Sequence, residues 1–476
     1  MIDKNQLSQY IDSCWENAII PALVDYIKIP NKSPHFDVNW QQAGHMQKAV
    51  DLIFSWCQNH APKGTQLEVV QLPERTPLIF AEIPGDSGHT ILMYGHLDKQ
   101  PEMVGWREGL GPWKPVLEGD KLFGRGGADD GYAAFASLTA INALQHQNIP
   151  HSRIVMIIEA CEESGSFDLP YYIDALQDRI GHPDLVICLD SGAGNYDQLW
   201  MTTSLRGNVV GNLTVSTLTE GIHSGYGSGI VADSFRISRA LLERIEDQET
   251  GEIRLPELHC PIPDVRQQQA EACADILGAE LENAYPRQGD TQPMSSDRAT
   301  LILNRTWRPA LTVTGSDGMP AIADAGNVLR PYTSLKLSMR TPPEVDAKRA
   351  GDAMRKVIMA SPPYHASVDF HIEDAANGWH APIMPPWLSQ AVNQASQQFY
   401  GKDAAFMGEG GTIPFMFMLG QKFPEAQFMI TGVLGPHSNA HGPNEFLHIP
   451  MVKKLTACVA WVISSHYQYA ANIEGI

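Results

Sequence analysis

The sequence predicts an α/β fold in which a central mixed, mostly parallel sheet is interrupted by a smaller α+β domain. In residues 1–206, strand-like apolar runs alternate with helical ones, as they do in open parallel sheets. Between residues 207 and 376 the order changes to β-α-β-β-α-β, the split arrangement of a ferredoxin-like antiparallel sheet. The alternating pattern then returns. We therefore predict one domain in two parts, 1–206 and 377–476, around an inserted domain at 207–376.

The composition indicates a globular protein and limits its partners. The chain has 476 residues, 43% of them hydrophobic, which is enough for two or three buried cores. A formal net charge of -20 disfavours nucleic acid and anionic membrane surfaces, because those partners require clustered Lys and Arg. The polar N-terminus predicts no secretion signal, and no apolar run is long enough to span a bilayer. Seven scattered cysteines without CxxC spacing fit reduced thiols, so we expect a cytoplasmic location.

In the first part of the chain, residues of metal-ligand type follow strand ends and a glycine-rich turn. Helices are predicted at 4–29, 41–58 and 132–144, and strands at 67–72, 78–83, 90–94, 153–160 and 185–189. The residues that follow strands, or end the turn at 124–131, are His96, Asp98, Asp129, Glu162, Glu163 and Asp190. Because the carboxyl ends of neighbouring parallel strands meet at one edge of a sheet, we expect these side chains to lie close together.

The inserted domain and the last part of the chain are predicted from the same periodicities. In the inserted domain we predict strands at 208–217, 300–304, 334–340 and 367–372, helices at 232–246 and 347–359, and a loop at 285–297. In the last part we predict helices at 388–400 and 452–468 and a strand at 427–430. The loop after that strand offers two further candidate ligands, His437 and His441.

Two histidines with three or four carboxylates suit a pair of zinc, manganese or cobalt ions. Two cations about 3.5–4 Å apart require a bridging carboxylate, and they acidify a water that both of them hold. The pair Glu162 and Glu163 can then divide the work, one as ligand and the other as the base that takes the water's proton. Each motif alone also has a plain interpretation, such as a solvated turn or a helix cap.

Five segments together resemble the M20 family of metallopeptidases in order and spacing. They are YGHLD at 94–98, GRGGADDG at 124–131, EACEESGS at 159–166, CLDSG at 188–192 and AHGPNE at 440–445. The resemblance covers essentially the whole chain and is strongest with the dipeptidase branch, judging from GHLDKQPE, GRGGADD and GEGGTIP. It implies a phosphorylase/hydrolase-like catalytic domain and a lid domain through which two subunits form a homodimer.

The resemblance also implies two divalent ions, zinc with manganese or cobalt as alternatives, and a role for each side chain of ligand type. His96, Asp129 and Asp190 would hold one ion, and Asp129, Glu163 and His441 the other. His441 is preferred to His437 because it alone has the His-x-x-Asn-Glu spacing.

The same resemblance assigns the groups around the ions. Glu162 would be the general base, and Asp98 would fix the ring of His96. The bond between Asp129 and Asp130 is predicted to be cis.

Substrate-binding residues are implied as well. His223, in GIHSG, would reach the active site of the other subunit and stabilise the oxyanion. Asn327 and Arg340 fit the spacing of substrate-binding residues, and Arg340 would pair with a substrate carboxylate. Gly411 and Thr412 would offer hydrogen-bond donors to the same group. For His223 a loop hydrogen bond, and for Arg340 a surface position, are the plain alternatives.

The implied function is hydrolysis of the amide bond of dipeptides or short peptides, with a metal-bridging water as the nucleophile. The alternatives are an N-acyl-amino-acid deacylase, a carboxypeptidase of the same family, and a non-catalytic binding relative. Two departures bear on the substrate. Relatives commonly have Lys-Gly where this chain has Gly131-Tyr132, and a small apolar residue where it has Lys99.

Overall fold

The computed structural model describes residues 2–475. The helices of the first part are α1 (Lys4–Cys14), α2 (Ile20–Ile27), α3 (Trp40–Ala43), α4 (His45–His60), α5 (Ala133–His146), α6 (Leu169–Ala175) and α7 (Gln177–Ile180), with a π-helical turn at Trp15–Ile19. The strands are β1 (Gln66–Val70), β2 (Leu78–Ile83), β3 (Thr90–His96), β4 (Val116–Glu118), β5 (Lys121–Phe123), β6 (Arg153–Glu159), β7 (Leu185–Cys188) and β8 (Trp200–Leu205).

Among the described residues, the middle of the chain holds six strands and six α-helices. The strands are β9 (Gly207–Ser216), β10 (Ile222–His223), β11 (Ala310–Asp317), β12 (Val328–Leu329), β13 (Tyr332–Thr341) and β14 (Ser367–Ala376). The helices are α8 (Ser224–Gly227), α9 (Ser234–Leu242), α10 (Asp264–Leu277), α11 (Glu280–Asn283), α12 (Arg298–Thr306) and α13 (Ala347–Met359).

The last part of the chain completes the sheets that the first part begins. Its strands are β15 (Trp379–His380), β16 (Ala405–Glu409), β17 (Gln427–Ile430) and β18 (Phe446–His448). Its helices are α14 (Pro386–Phe399), α15 (Pro414–Lys422) and α16 (Ile449–Glu474).

The central sheet has six strands in the order β1-β2-β6-β3-β7-β17. The strands β6, β3, β7 and β17 are parallel to one another. At one edge of the sheet β2 pairs antiparallel with β6, and β1 pairs antiparallel with β2. The predicted mixed, mostly parallel sheet is therefore confirmed. Because β17 comes from the last part of the chain, the sheet joins segments on either side of the inserted residues.

Helices cover both faces of this sheet, which is why all its strands except the edge strand β1 are largely buried. Alternate residues such as Ile91 and Met93 pack into the core formed with α4, α5 and α16. Their neighbours Leu92 and Tyr94 pack into a second core with α6 and α15. The polar side chains that follow these strands can therefore meet only at the end of the sheet, outside both cores.

A separate four-stranded antiparallel sheet lies in the inserted region, in the order β11-β13-β9-β14. In β9 buried residues alternate with partly buried ones, and the buried set includes Val209, Leu213 and Val215. These side chains form a third core with α9 and α13. The chain order β9-α9-β11-β13-α13-β14 is the predicted ferredoxin-like arrangement, which is confirmed.

The strand predicted at 300–304 is wrong, because these residues lie in helix α12. Asp297 caps this helix by accepting a hydrogen bond from the backbone N–H of Thr300 at 2.9 Å. Ile302 and Leu303 then pack with α10 in the core of the central domain. The run Leu301–Leu303 is too short for its apolar pattern to distinguish a helix from a strand. The strand that takes its place in the four-stranded sheet is β11, which begins at residue 310.

Residues 264–307 therefore pack on the central domain although they lie inside the segment 207–376. They contact β16, which forms a three-stranded sheet with β8 and β15. The domain boundaries at 206 and 376 stay a prediction. In the described part of the chain, none of the helices is both long enough and apolar enough to cross a membrane.

Candidate metal centre

Five predicted ligands converge at the carboxyl-terminal edge of the central sheet. His96 ends β3, Asp190 follows β7, and Glu163 lies in a 3-10 turn after β6. Asp129 precedes α5, and His441 lies between β17 and β18. Within residues 2–475, His96, Asp129 and Asp190 form one group whose ligand atoms lie within 4.8 Å of one another, and Asp129, Glu163 and His441 form another. Asp129 belongs to both groups.

The distances within each group fit atoms that share a cation. His96 Nε2 lies 3.4 Å from Asp129 Oδ1 and 3.6 Å from Asp190 Oδ2. His441 Nε2 lies 3.1 Å from Asp129 Oδ2 and 3.2 Å from Glu163 Oε2. Ligand atoms around a tetrahedral zinc ion, with bonds of about 2.0–2.1 Å, are about 3.3–3.4 Å apart. The two carboxylate oxygens of Asp129 thus face different groups, as a bridging ligand requires.

Two buried atoms of the groups support the same interpretation. Among the described residues, His96 Nε2 and Glu163 Oε1 are buried and have no hydrogen-bond partner. A buried polar atom without a partner costs about 1–3 kcal/mol, so a ligand for these atoms is expected. The residues present therefore fit a pair of divalent cations. His437 lies in the wall of a neighbouring cavity, so the geometry favours His441 as the ligand.

Asp98 positions three of the neighbouring groups. Its carboxylate accepts hydrogen bonds from the backbone N–H groups of Glu162, at 3.1 Å, and Glu163, at 3.0 Å. Its Oδ1 atom also lies 3.5 Å from Nδ1 of His96, and its backbone oxygen lies 3.2 Å from the same nitrogen. Asp98 therefore holds the turn that carries both glutamates, in addition to the predicted contact with the ring of His96.

The turn at Asp129 is fixed by its neighbour Asp130. The peptide bond between the two is cis, as predicted. Asp130 Oδ2 accepts a hydrogen bond from the backbone N–H of His96 at 3.2 Å. A Cβ atom on Gly95 would lie 2.9 Å from this oxygen and 2.7 Å from Cβ of Ala133, so a side chain at position 95 would displace the turn.

A buried ion pair joins the glycine-rich turn to the loop that carries His441. Arg125 Nη1 donates to Glu445 Oε2 at 2.7 Å, and Arg125 Nη2 donates to the backbone oxygen of Gly442 at 2.6 Å. Glu445 also accepts from the backbone N–H of Gly126 at 2.9 Å. Both charged side chains are fully buried, so these hydrogen bonds replace the water that each has lost.

The crowding of carboxylates and histidines changes the pKa of each group. Burial lowers the pKa of His441, but Asp129 and Glu163 outweigh it and raise that pKa to about 11. Burial, with the charges of Asp129 and Glu163, raises the pKa of Asp190 to about 7, although His96 acts against this. Burial raises the pKa of Glu162 well above its ordinary value, and Asp190 and Glu163 add to the effect.

A cavity of about 820 Å³ opens onto the two groups. Arg340, Gly411 and Thr412, which we predicted to bind substrate, lie in its wall with Glu162, and Arg340 Nη1 donates to Thr412 Oγ1 at 2.9 Å. His223 and Asn327 lie elsewhere. They are on the exposed ribbon formed by β10 and β12, where the backbone N–H of Ser224 donates to the backbone oxygen of Asn327.

Two residues of the cavity wall were missed from the sequence. Gln100 Nε2 donates to Glu163 Oε2 at 2.5 Å and so orients a predicted ligand. Glu409 adds a further carboxylate to the cavity wall. Burial raises the pKa of Glu409, while Arg305 opposes the rise. Glu409 belongs to the segment GEGGTIP, so its acidic side chain next to the glycines was the available signal.

The departures at Lys99 and Gly131 lie beneath the site rather than in the cavity wall. Lys99 is fully buried, and its ammonium donates to the backbone oxygens of Tyr26 and Ile29 at 2.8 Å each. The same ammonium lies 3.8 Å from the ring centroid of Tyr26. A Cβ atom at Gly131 would lie 2.2 Å from the Tyr26 ring, so the glycine makes room for it. Tyr132 is buried and donates to the backbone oxygen of Leu189.

Curated relatives of the chain include several dipeptidases. The cysteinylglycine-S-conjugate dipeptidase of Corynebacterium striatum is 25% identical over 378 residues, which cover 77% of this chain and 79% of that protein. The Cys-Gly metallodipeptidase DUG1 of Saccharomyces cerevisiae is 24% identical over 449 residues, covering 89% of this chain and 87% of that protein.

Solved structures show the same fold. The yeast dipeptidase Dug1p matches with a TM-score of 0.77 at 20% identity, over 98% of this chain and 99% of that chain. Human carnosine dipeptidase 1 matches with a TM-score of 0.76 at 20% identity and the same coverage. The sequence pattern of Peptidase family M20/M25/M40 matches residues 92–465. Since this match spans well over half of the sequence, the chain belongs to that peptidase family.

Proposed function

We propose that the protein is a dinuclear-metal dipeptidase that hydrolyses the amide bond of dipeptides with free amino and carboxyl ends. The observation that carries this proposal is the pair of ligand groups that share Asp129 at the floor of one cavity. The cavity wall also holds Glu162, which belongs to neither group. Such a site has both a place for two cations and a free base.

When bound, the two divalent cations, for which we propose zinc with manganese or cobalt as alternatives, would acidify a water and polarise the scissile carbonyl. Glu162 takes the proton from that water and returns it to the departing amine. Its Oε2 atom lies 3.9 Å from His96 Nε2, beyond hydrogen-bond distance, so the carboxylate is free to turn toward the substrate.

The charges of the cavity wall suit a substrate with one positive and one negative end. Arg340 faces the cavity and can pair with the substrate's α-carboxylate, with Gly411 and Thr412 beside it. Glu409 can accept hydrogen bonds from the substrate's α-ammonium group. A dipeptide satisfies both requirements at once, and the activities named for the curated relatives support this substrate class.

We further propose that two subunits associate through the inserted domain and that His223 acts in the partner's site. The ribbon that carries His223 is exposed, and its neighbours Tyr226 and Val328 are apolar side chains that are 82% and 39% exposed. An exposed apolar patch of this kind is typical of an interface. We also propose a cytoplasmic location, which the unpaired state of the seven cysteines supports.

The proposal is tested by comparing substrates that differ at one end. The metal-depleted protein is reloaded with zinc, manganese or cobalt and assayed on Ala-Ala, N-acetyl-Ala and Ala-Ala-Ala by chromatography of the free amino acids. We expect Ala-Ala to be cleaved at least about 100-fold more efficiently than N-acetyl-Ala, because the acetyl group leaves Glu409 unpaired. Preference for N-acetyl-Ala would instead identify a deacylase, and sequential release of C-terminal alanine from the tripeptide would identify a carboxypeptidase.

A further inference from the structure

A second cavity of about 530 Å³ adjoins the metal cavity. Gly192, Glu409 and Leu434 line both cavities, so the two cavities adjoin at these residues. One wall of the second cavity is formed by α10, α11 and α12 of the segment 264–307, and apolar residues such as Leu277 and Leu281 belong to it. Apart from Glu409, this cavity is lined by residues to which the proposed function gives no role.

Arg305 is the one Lys or Arg side chain that lines the second cavity within residues 2–475. Its Nη1 atom lies 3.3 Å from the hydroxyl of Tyr285, and its Nη2 atom lies 3.1 Å from Sδ of Met407, which is a weak acceptor. Its Nε atom is buried and has no hydrogen-bond partner among the described residues. Within residues 2–475 this guanidinium forms no ion pair, although the charge of Glu409 acts on it: burial lowers the pKa of Arg305, and Glu409 contributes most to raising it. A buried guanidinium in this state favours an anionic ligand.

The position of Glu409 relates this cavity to one end of the substrate. Glu409 stands in the wall between the two cavities and is the group that we assign to the α-ammonium. The side chain of an amino-terminal residue leaves the same carbon atom as that ammonium. It is therefore the part of the substrate that lies nearest the second cavity, whereas Arg340, at the other end of the substrate, lines only the metal cavity among the residues described.

We propose that the second cavity binds the side chain of the substrate's amino-terminal residue and that Arg305 selects a side chain that ends in a carboxylate. This inference rests on the proposed dipeptidase function. The planar guanidinium can donate two parallel hydrogen bonds to a carboxylate, which a neutral amide cannot accept in the same way. Two exposed acidic residues, Asp197 and Glu280, also line this cavity. The charge of Asp197 is already paired with Lys402 at 3.0 Å.

The test compares the kcat/KM of the metal-loaded enzyme for Glu-Ala, Gln-Ala, Lys-Ala and Ala-Ala. We expect Glu-Ala to exceed its isostere Gln-Ala by about tenfold or more, since a site built to pair with a charged group discriminates against its neutral analogue. The variant Arg305→Met should lower the value for Glu-Ala by about 10- to 100-fold and that for Ala-Ala by less than about threefold. Arg305→Lys keeps the charge but cannot donate two parallel hydrogen bonds. Its kcat/KM for Glu-Ala should therefore lie between those of the wild type and Arg305→Met.

The matched control is Arg298→Met on the same helix. Arg298 pairs with Glu282 at 2.7 Å and lies outside the cavity wall, so this variant should change all four substrates equally or not at all. Equal wild-type values for Glu-Ala and Gln-Ala, a preference for Lys-Ala, or an equal loss for every substrate in Arg305→Met would overturn the inference. Cleavage of Ala-Ala without any preference for Glu-Ala would refute the inference alone, whereas failure to cleave any dipeptide would refute the proposed function.

Discussion

Replacement of Glu162 by Gln separates the base from the metal ligands more sharply than any other change. Its carboxylate belongs to neither ligand group, and its position is fixed by the backbone N–H that donates to Asp98. A glutamine keeps that backbone contact and nearly the same volume, but it cannot accept the proton of the water. We therefore expect kcat to fall about 10²- to 10⁴-fold, which corresponds to about 3–5 kcal/mol of lost transition-state stabilisation.

The adjacent substitution Glu163→Gln is the matched control, because it makes the same chemical change one residue away. Glu163 Oε2 lies 3.2 Å from His441 Nε2, inside the second ligand group. Loss of its charge should therefore weaken one cation. Metal content is measured by mass spectrometry after gel filtration, and turnover is measured on Ala-Ala at saturating metal. We expect two cations per chain in Glu162→Gln and about one in Glu163→Gln, as the loss of a ligand weakens a site.

Three results would refute this assignment. If Glu162→Gln kept more than about one tenth of the wild-type kcat, general-base catalysis by this group would be excluded, since such catalysis contributes at least about 100-fold. If Glu162→Gln lost a cation while Glu163→Gln kept both, the roles of the two glutamates would be exchanged. Equal metal loss in both variants would instead place both side chains among the ligands.

Four further predictions concern other parts of the molecule. Arg340→Met should raise KM for Ala-Ala about 10- to 100-fold and have little further effect on Ala-Ala amide, which lacks the carboxylate. Mixing Glu162→Gln with His223→Ala protein should restore about a quarter of wild-type activity, because half of the randomly formed dimers then contain one complete site, whereas no recovery would exclude His223 acting across the dimer. Lys99→Met should lower the free energy of unfolding in urea by about 2 kcal/mol, since two buried carbonyls lose their donor, while exposed Lys28→Met should change it by less than about 0.5 kcal/mol. Burial lowers the pKa of His466 to about 4, so the folded state holds fewer protons than the unfolded state between pH 4 and 6.5. Its contribution of about 3 kcal/mol is then present above pH 6.5 and lost as the pH falls to 4, and His466→Gln should flatten this part of the stability profile measured by thermal unfolding.

Much of the fold and of the metal centre could be predicted from the sequence because both depend on local patterns. Strand periodicity located β3, β6 and β7, and the residue that follows a parallel strand must lie at the edge where ligands bind. The prediction of a strand at 300–304 was wrong because three apolar residues fit the period of a strand and that of a helix equally well. Tertiary packing on α10 favours the helix.

Residues that act through distant contacts were harder to predict. Gln100 has no motif of its own, and its contact with Glu163 depends on how β3 and β6 pair. Lys99 follows a ligand motif, yet its side chain turns toward the end of α2, where it donates to the backbone oxygens of Tyr26 and Ile29. A linear sequence does not show which way such a side chain turns, since that depends on the space that Gly126 and Gly131 leave beneath the turn.

The ion pair between Arg125 and Glu445 explains how Asp129 and His441, which are far apart in the chain, are held together in one site. Asp129 depends on the turn that Arg125 begins, and His441 depends on the loop that Glu445 ends. Removal of water from both charges is costly, and the pair is stable here because Glu445 also accepts backbone N–H groups of the turn while Arg125 donates to a carbonyl of the loop. Loss of either partner would leave the other buried without its charge partner and would release the His441 loop from the turn. Metal binding at the second ligand group should therefore be coupled to the folding of the last part of the chain onto the first.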